Sequence, residues 1–409
     1  MRFTEDLMKN RIFDLHELNF DFTPRAKKND NPEFDPDSEK SYELLEDGSY
    51  KIKFLAPQAN EIKVIPWFGD PTPEGYAPWR DKALYAEKDP NGVFTLILPF
   101  DERKTGPRNL DIVVDGTYVV WPYLPVYWSG GKIWNYLEIP DNDMAFSYIY
   151  DVPHGSISHE FFFSKELNRT ERCLVYTPPG YEKGDEEYPI FYLQHGGTEN
   201  ETVWTSCGRV NFIMDNLLAK NECVPFIVVM CNGMLRYPEL EDKSLLDDCF
   251  ENMLINDCIP FVENKYRVKK DKWHRAIAGL SMGSMQTNDI GFKHPDIFGN
   301  MGSFTSTMYH PTFGTTYERP WQKVMANPEQ FKKDYCVFYC SATPQEDHLP
   351  LFLKDAEIMR RAGIEGTMLG YRRVIHDGRF IRWNSWRMGF KEMATMLFKE
   401  EEIKGNEKT

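Results

Sequence analysis

The chain has 409 residues, enough for two domains, because single hydrophobic cores rarely grow past roughly 250–300 residues. A composition that is 41% hydrophobic and 14% aromatic argues for a well-filled core and against disorder. The net charge of −15 and pI near 5.2 disfavour nucleic acid, anionic membrane surfaces and phosphate-rich ligands, since each needs basic patches.

Residues Met1 to Asn10 lack an apolar h-region followed by a small-residue cleavage site, so no secretory signal is visible and a cytoplasmic location is favoured. No run reaches the roughly 18 consecutive apolar residues of a membrane-spanning helix. Residues 1–40 begin with a short helical pattern and pass through polar Lys27-Lys28-Asn29-Asp30-Asn31-Pro32, an irregular lead-in. Strand patterns follow at 50–55, 61–67, 92–98, 111–114 and 117–121, the last two flanking Asp115-Gly116, a strong hairpin signal. Strands at such spacing, without helical periods between them, predict an all-β, immunoglobulin-like sandwich over 41–140. Its aromatics Trp67, Trp79, Trp121, Tyr123, Tyr127, Trp128 and Trp134 can stack on sugar rings or fill the core and the seam to the next domain. The loop from Tyr127 to Trp134 lies close to a linker at 141–160, which makes Trp128 a candidate for the rim of a catalytic cleft.

Over 161–409 the pattern alternates between strands at 173–176, 190–194, 226–230, 276–280 and 337–340 and helices at 211–219, 250–266, 285–293 and 351–362. Such alternation predicts an α/β domain with a mostly parallel sheet covered by helices on both faces, its functional groups at the carboxyl ends of the strands. Cys173, Cys223, Cys231, Cys336 and Cys340 fall in or beside apolar runs, and no Cys/His cluster has zinc spacing. All eight cysteines are therefore expected to be reduced, with no structural metal and no cofactor.

The chemistry centres on Ala276-Ile277-Ala278-Gly279-Leu280-Ser281-Met282-Gly283-Ser284-Met285. A short apolar run enters Gly-x-Ser-x-Gly and helix-compatible residues leave it, the strand, turn and helix context of a nucleophile elbow, with Ser281 as nucleophile. Upstream, Tyr192-Leu193-Gln194-His195-Gly196-Gly197-Thr198 is a strand ending in His-Gly-Gly, a loop able to supply one backbone N–H of an oxyanion hole. Gly197 or Thr198 would give one donor and Met282 the other. A serine hydroxyl needs a base, and the order in such domains is serine, acid, histidine. Of the histidines after Ser281, His376 fits best, in a loop after a late strand and before a carboxy-terminal helix. The acid is expected in Ser341-Ala342-Thr343-Pro344-Gln345-Glu346-Asp347-His348, with Asp347 chosen over Glu346 to orient the imidazole.

These residues resemble a known family. From about 150 to 400 the chain looks like the carbohydrate esterases that include bacterial feruloyl and acetyl xylan esterases, related to enterochelin esterases. The resemblance rests on Asp151-Val152-Pro153-His154-Gly155, Val175-Tyr176-Thr177-Pro178-Pro179-Gly180-Tyr181, the His195-Gly196-Gly197 loop, the elbow, and His376 with Trp383. It implies an α/β-hydrolase fold, and the β-domain is similar to the early-set, glycogen-binding-like module that often precedes such esterases. The sequence departs from the family pattern at Ser284, in place of a further glycine, in a longer acid loop, and in the six residues between His376 and Trp383.

The expected activity is a serine carboxylic-ester hydrolase working through an acyl-enzyme. By resemblance its substrates would be hydroxycinnamoyl or acetyl esters of plant-derived saccharides, with Trp204 stacking on an aromatic acyl group or serving the core. The expected partner is thus a small-molecule or oligosaccharide ester, and a homo-oligomer is left open. Two alternatives stand: an esterase for a catecholate siderophore, and a carbohydrate-binding protein whose hydrolase site has degenerated.

Overall fold

The computed structural model describes residues 41–67, 71–72, 75–76, 82–235, 248–305, 327–346, 349–365, 370–378 and 382–399. Asp347 and Trp79 lie outside them. The chain divides into two compact units, one of residues 1–128 and 132–150 and the other of residues 129–131 and 151–409.

The first unit is β-rich. Strands β1 (Tyr42–Leu44), β2 (Tyr50–Leu55), β3 (Ile62–Trp67), β4 (Pro71–Thr72), β5 (Gly75–Tyr76), β6 (Leu84–Tyr85), β7 (Glu87–Lys88) and β8 (Val93–Leu98) come first, then β9 (Gly106–Val114), β10 (Thr117–Val119), β11 (Val126–Ser129) and β12 (Lys132–Ile139). They form sheets ordered β1-β2-β8-β7 and β11-β12-β9-β3-β6, with β10 paired to β9. Alternate residues Ile52 and Phe54, Phe94 and Leu96 from one sheet meet Ile62, Val64, Leu110, Ile112 and Leu137 from the other in one core, which makes a sandwich. The expected hairpin forms at Asp115-Gly116, both residues having positive φ (46° and 86°), the turn whose twist matches that of paired strands.

Among the described residues the second unit is built on eight strands, β13 (Ser156–Ser164), β14 (Arg169–Thr177), β15 (Ile190–Gln194), β16 (Ile227–Cys231), β17 (Arg275–Leu280), β18 (Asn300–Phe304), β19 (Val337–Ala342) and β20 (Gly370–Ile375). Their order is β13-β14-β16-β15-β17-β18-β19-β20, antiparallel at the β13 and β14 end and parallel from β16 onward. Strands β15 to β19 are buried along almost their whole length, as a sheet covered on both faces requires. Ile190, Tyr192, Ile277 and Met301 face one core with Phe250, Met253, Ile259, Ile290 and Phe292. Phe191, on the opposite face, stacks on Phe390, and Trp204 meets Phe304 and Trp383 edge-on.

The helices are α1 (Val203–Ser206), α2 (Val210–Ala219), α3 (Cys249–Asn252), α4 (Ile259–Lys265), α5 (Met282–Lys293), α6 (Pro328–Asp334), α7 (Leu349–Arg361) and α8 (Trp383–Ala394). A π-helical segment, Met253–Cys258, joins α3 to α4 where the sequence pattern reads as one helix. Residues 141–160 also depart from expectation. They are no linker, because the 3-10 turn Asn142–Ser147 clusters with the first unit and β13 starts inside the second. In β13, Phe162 is buried while Phe161 and Phe163 are 62% and 59% exposed, so an uninterrupted aromatic run conceals a two-residue alternation. None of the eight cysteines is joined in a disulfide. Among the described residues no helix is long and apolar enough to cross a membrane.

Candidate active site

Ser281 stands between β17 and α5 with φ 50° and ψ −119°, a backbone region that costs a non-glycine residue about 1–3 kcal/mol. Neighbouring contacts hold it there. The Ser281 N–H donates to Phe304 O at 3.3 Å, and its carbonyl accepts from Ser284 N–H at 3.0 Å, Met285 N–H at 3.3 Å and Ser284 Oγ at 2.6 Å. Ser284 therefore adds a bond to the bend that a glycine could not make. The glycines are there for space. A Cβ on Gly279 would lie 2.6 Å from the Gly283 carbonyl carbon, and one on Gly283 would lie 2.3 Å from His195 O. Ser281 itself is left exposed.

The loop after β15 lies against this bend. A Cβ on Gly196 would come 3.5 Å from Ser281 Cβ, and one on Gly197 would come 3.9 Å from Met282 Cβ. Thr198 has φ 64° and is held on every side: its N–H points to Met234 Sδ at 3.3 Å, its Oγ1 donates to Gly197 O at 2.6 Å, and its carbonyl accepts from Gly131 N–H at 3.2 Å. The Thr198 N–H is engaged by the Met234 sulfur, while Gly196 and Gly197 pack close against Ser281 and Met282.

Two titratable groups shape this loop without having been singled out in the sequence. His195 is 1% exposed, with Nδ1 2.7 Å from Gly196 O and Nε2 accepting from Gly233 N–H at 2.9 Å. Burial pushes its pKa down to about 4. Glu199, also buried, accepts Gly196 N–H at 2.9 Å through Oε2, and burial pushes its carboxyl up to about 7.

His376 follows β20 at the carboxyl edge of the sheet, its N–H donating to Ala342 O at 2.9 Å, so that its loop lies beside the one after β19. Gln345 Nε2 donates to Gly378 O at 2.5 Å between the same two loops. His376 is 6% exposed. Its Nδ1 is 2.9 Å from Ser385 Oγ on α8, and its Nε2 is 3.5 Å from Tyr339 Oη and 3.9 Å from Glu392 Oε2. Burial raises the Glu392 carboxyl, but hydrogen bonding and charge from His376, with Arg372 and Tyr339, outweigh it and hold Glu392 below its ordinary value. Among the described residues, no hydrogen bond joins His376 to Ser281. In unliganded sites such bonds commonly close only when substrate is present.

Of the acid candidates, Glu346 caps its own loop, Oε1 accepting from Thr343 N–H at 3.2 Å and Thr343 Oγ1 at 2.9 Å. Burial pushes its carboxyl up to about 8. Trp204 is 1% exposed, its indole N–H donating to Gln194 O at 3.0 Å and its ring enclosed by Phe304, Trp383 and Phe390. Of the two roles expected for it, stacking on an acyl group or serving the core, its burial excludes the first and fits the second. Trp128, in β11 of the first unit, is 40% exposed.

The sheet order, a strained serine between a parallel strand and a helix, and a glycine loop opposite it define an α/β-hydrolase fold. Residues 164–357 match the family model described as putative esterase. It is 33% identical over 321 residues to an endo-1,4-beta-xylanase/feruloyl esterase of Xylanibacter ruminicola, a match covering 76% of this chain and 41% of that protein. The chain thus spans well under two thirds of that relative. Two solved structures share the fold. An enterochelin esterase from Shigella flexneri has a TM-score of 0.55 at 14% identity, covering 86% of this chain and 94% of that one. A ferulic acid esterase from Anaeromyces mucronatus has a TM-score of 0.51 at 19% identity, covering 61% of this chain and 93% of that one.

Proposed function

We propose that this protein is a serine carboxylic-ester hydrolase whose oxyanion donors are the N–H groups of Gly197 and Met282, and the observation that carries the reading is the strained, exposed Ser281 between β17 and α5 with the Gly196-Gly197 loop packed against it. His376 takes the Ser281 proton as Oγ bonds to the ester carbonyl carbon, and the oxyanion is received by those two N–H groups. The alcohol leaves with the proton from His376. Water, deprotonated by the same ring, then cleaves the acyl-enzyme and frees the acid. Asp347 is the proposed acid behind His376, with Glu346 occupied by Thr343. Base catalysis on this reading requires the imidazole to turn from Ser385 and Tyr339 toward Ser281.

The proposed substrates are hydroxycinnamoyl, such as feruloyl, or acetyl esters of plant-derived saccharides. The support is the 33% identity to a protein named as a xylanase/feruloyl esterase, whereas the siderophore-type neighbour is alike in fold alone. Trp128 is proposed to contact substrate, and the β-rich unit to serve as an early-set carbohydrate module. A fluorophosphonate probe should label Ser281, with labelling lost in Ser281→Ala. A panel of methyl ferulate, acetylated xylan, p-nitrophenyl acetate and a catecholate triester should favour the first two. Wild-type protein that takes no label and turns over no ester would refute the reading.

A further inference from the structure

The peptide between Gly196 and Gly197 carries one of the two amide protons the proposed reaction uses, so its orientation decides whether the oxyanion is received. A trans peptide sets its C=O and N–H on opposite sides, and there are no cis peptides among the described residues. The Gly196 carbonyl oxygen is engaged by His195 Nδ1 at 2.7 Å and by Glu199 N–H at 3.4 Å. With that oxygen held, the Gly197 N–H points the other way. The preceding peptide is pinned as well, its Gly196 N–H donating to Glu199 Oε2 at 2.9 Å.

Which proton His195 carries follows from its second nitrogen. A backbone N–H can only donate, so the Gly233 N–H at 2.9 Å makes Nε2 the acceptor and leaves the hydrogen on Nδ1. Gly233 is fixed in turn, its carbonyl accepting from Gln286 Nε2 at 3.0 Å, and Gln286 sits on α5, the helix that starts at the nucleophile. Glu199 has a further support in Ser129 Oγ, 3.5 Å from Oε1. Helix, loop and acid therefore converge on one peptide plane.

We propose that His195 and Glu199 are positioning residues that lock the Gly196 to Gly197 peptide with its N–H toward the oxyanion, His195 acting through its Nδ1–H tautomer. The inference rests on the serine-hydrolase reading and deepens it. Neither side chain needs to touch substrate. His195→Asn keeps a donor near the place of Nδ1, whereas His195→Gln moves its amide toward the place of Nε2 and removes that donor. On p-nitrophenyl acetate, kcat should stay within about tenfold of wild type for His195→Asn and fall by about 10²–10³ for His195→Gln, with KM little changed. Glu199→Gln retains an acceptor for Gly196 N–H and should resemble His195→Asn, while Glu199→Leu should resemble His195→Gln. The second pair keeps the test open should a His195 variant not fold. If His195→Gln or Glu199→Leu folds, labels at Ser281 and keeps wild-type kcat, the lock is refuted and the hydrolase reading stands. Failure of the wild type to label refutes the reading and the lock with it.

Discussion

Replacing Gly283 by alanine puts a Cβ 2.3 Å from His195 O, 2.8 Å from Gln194 O and 3.0 Å from Gln194 C. An ordinary carbon-to-oxygen approach is about 3.3 Å, so roughly 1 Å of overlap must be relieved. All three atoms are backbone, and no side chain can swing away. Either α5 retreats or the end of β15 does, and both motions open the gap between Ser281 and the Gly197 amide. Overpacking of this kind costs about 1–3 kcal/mol, a fall of several degrees in Tm for a domain of this size. A misplacement near 1 Å at the reacting centre can cost about 10²-fold in rate. Steady-state turnover of p-nitrophenyl acetate and a thermal melt check both effects, with Gly184→Ala as control, since nothing lies within 4 Å of a Cβ there and its φ is −116°. Gly283→Ala with wild-type kcat and Tm would show that the elbow does not need its glycine and would refute the close-packing argument.

Trp204→Ala should destabilise the protein by about 3–5 kcal/mol, because a fully buried indole and its hydrogen bond to Gln194 O are lost together. A variant with unchanged Tm and a raised KM would instead restore the substrate-stacking role. The Glu346 carboxyl is raised from the unfolded value of 4.5 to about 8 by burial, so the unfolded chain releases that proton first. The stability linked to it is complete below about pH 4.5 and is lost as pH rises toward 8. Glu346→Gln should flatten the decline of Tm between pH 5 and about 8, and an unaltered Tm profile would contradict the burial of that carboxylate.

Much of this was legible in the sequence because local chemistry and global fold agree there. Residues 276–280 are apolar and end at glycine-flanked Ser281, and the structure makes them the central strand and bend expected. Asp115-Gly116 likewise announces its hairpin through residues that tolerate positive φ. Strand β18, Asn300–Phe304, gives no such signal: Asn300, Gly302 and Ser303 are small or polar, and only pairing to β17 and β19 makes the segment a strand. Trp204 misled for a related reason, since an aromatic near a catalytic loop reads the same whether its ring meets substrate or Phe304.

Glu199 and His195 show where reading by residue type reaches its limit. Glu199 is the third residue after Gly196, a spacing that in an open loop would mean a solvated charge, and His195 is the first residue of a His-Gly-Gly signature usually read for its glycines. What gives both a role is the end of β16 reaching Nε2 through Gly233 and the burial of the Glu199 carboxyl, neither encoded nearby in the chain. In the proposed reaction the amide proton that receives charge belongs to Gly197, a residue without a side chain. Its direction must therefore be imposed by neighbours, and a buried neutral imidazole with one nitrogen already committed is a rigid way to impose it.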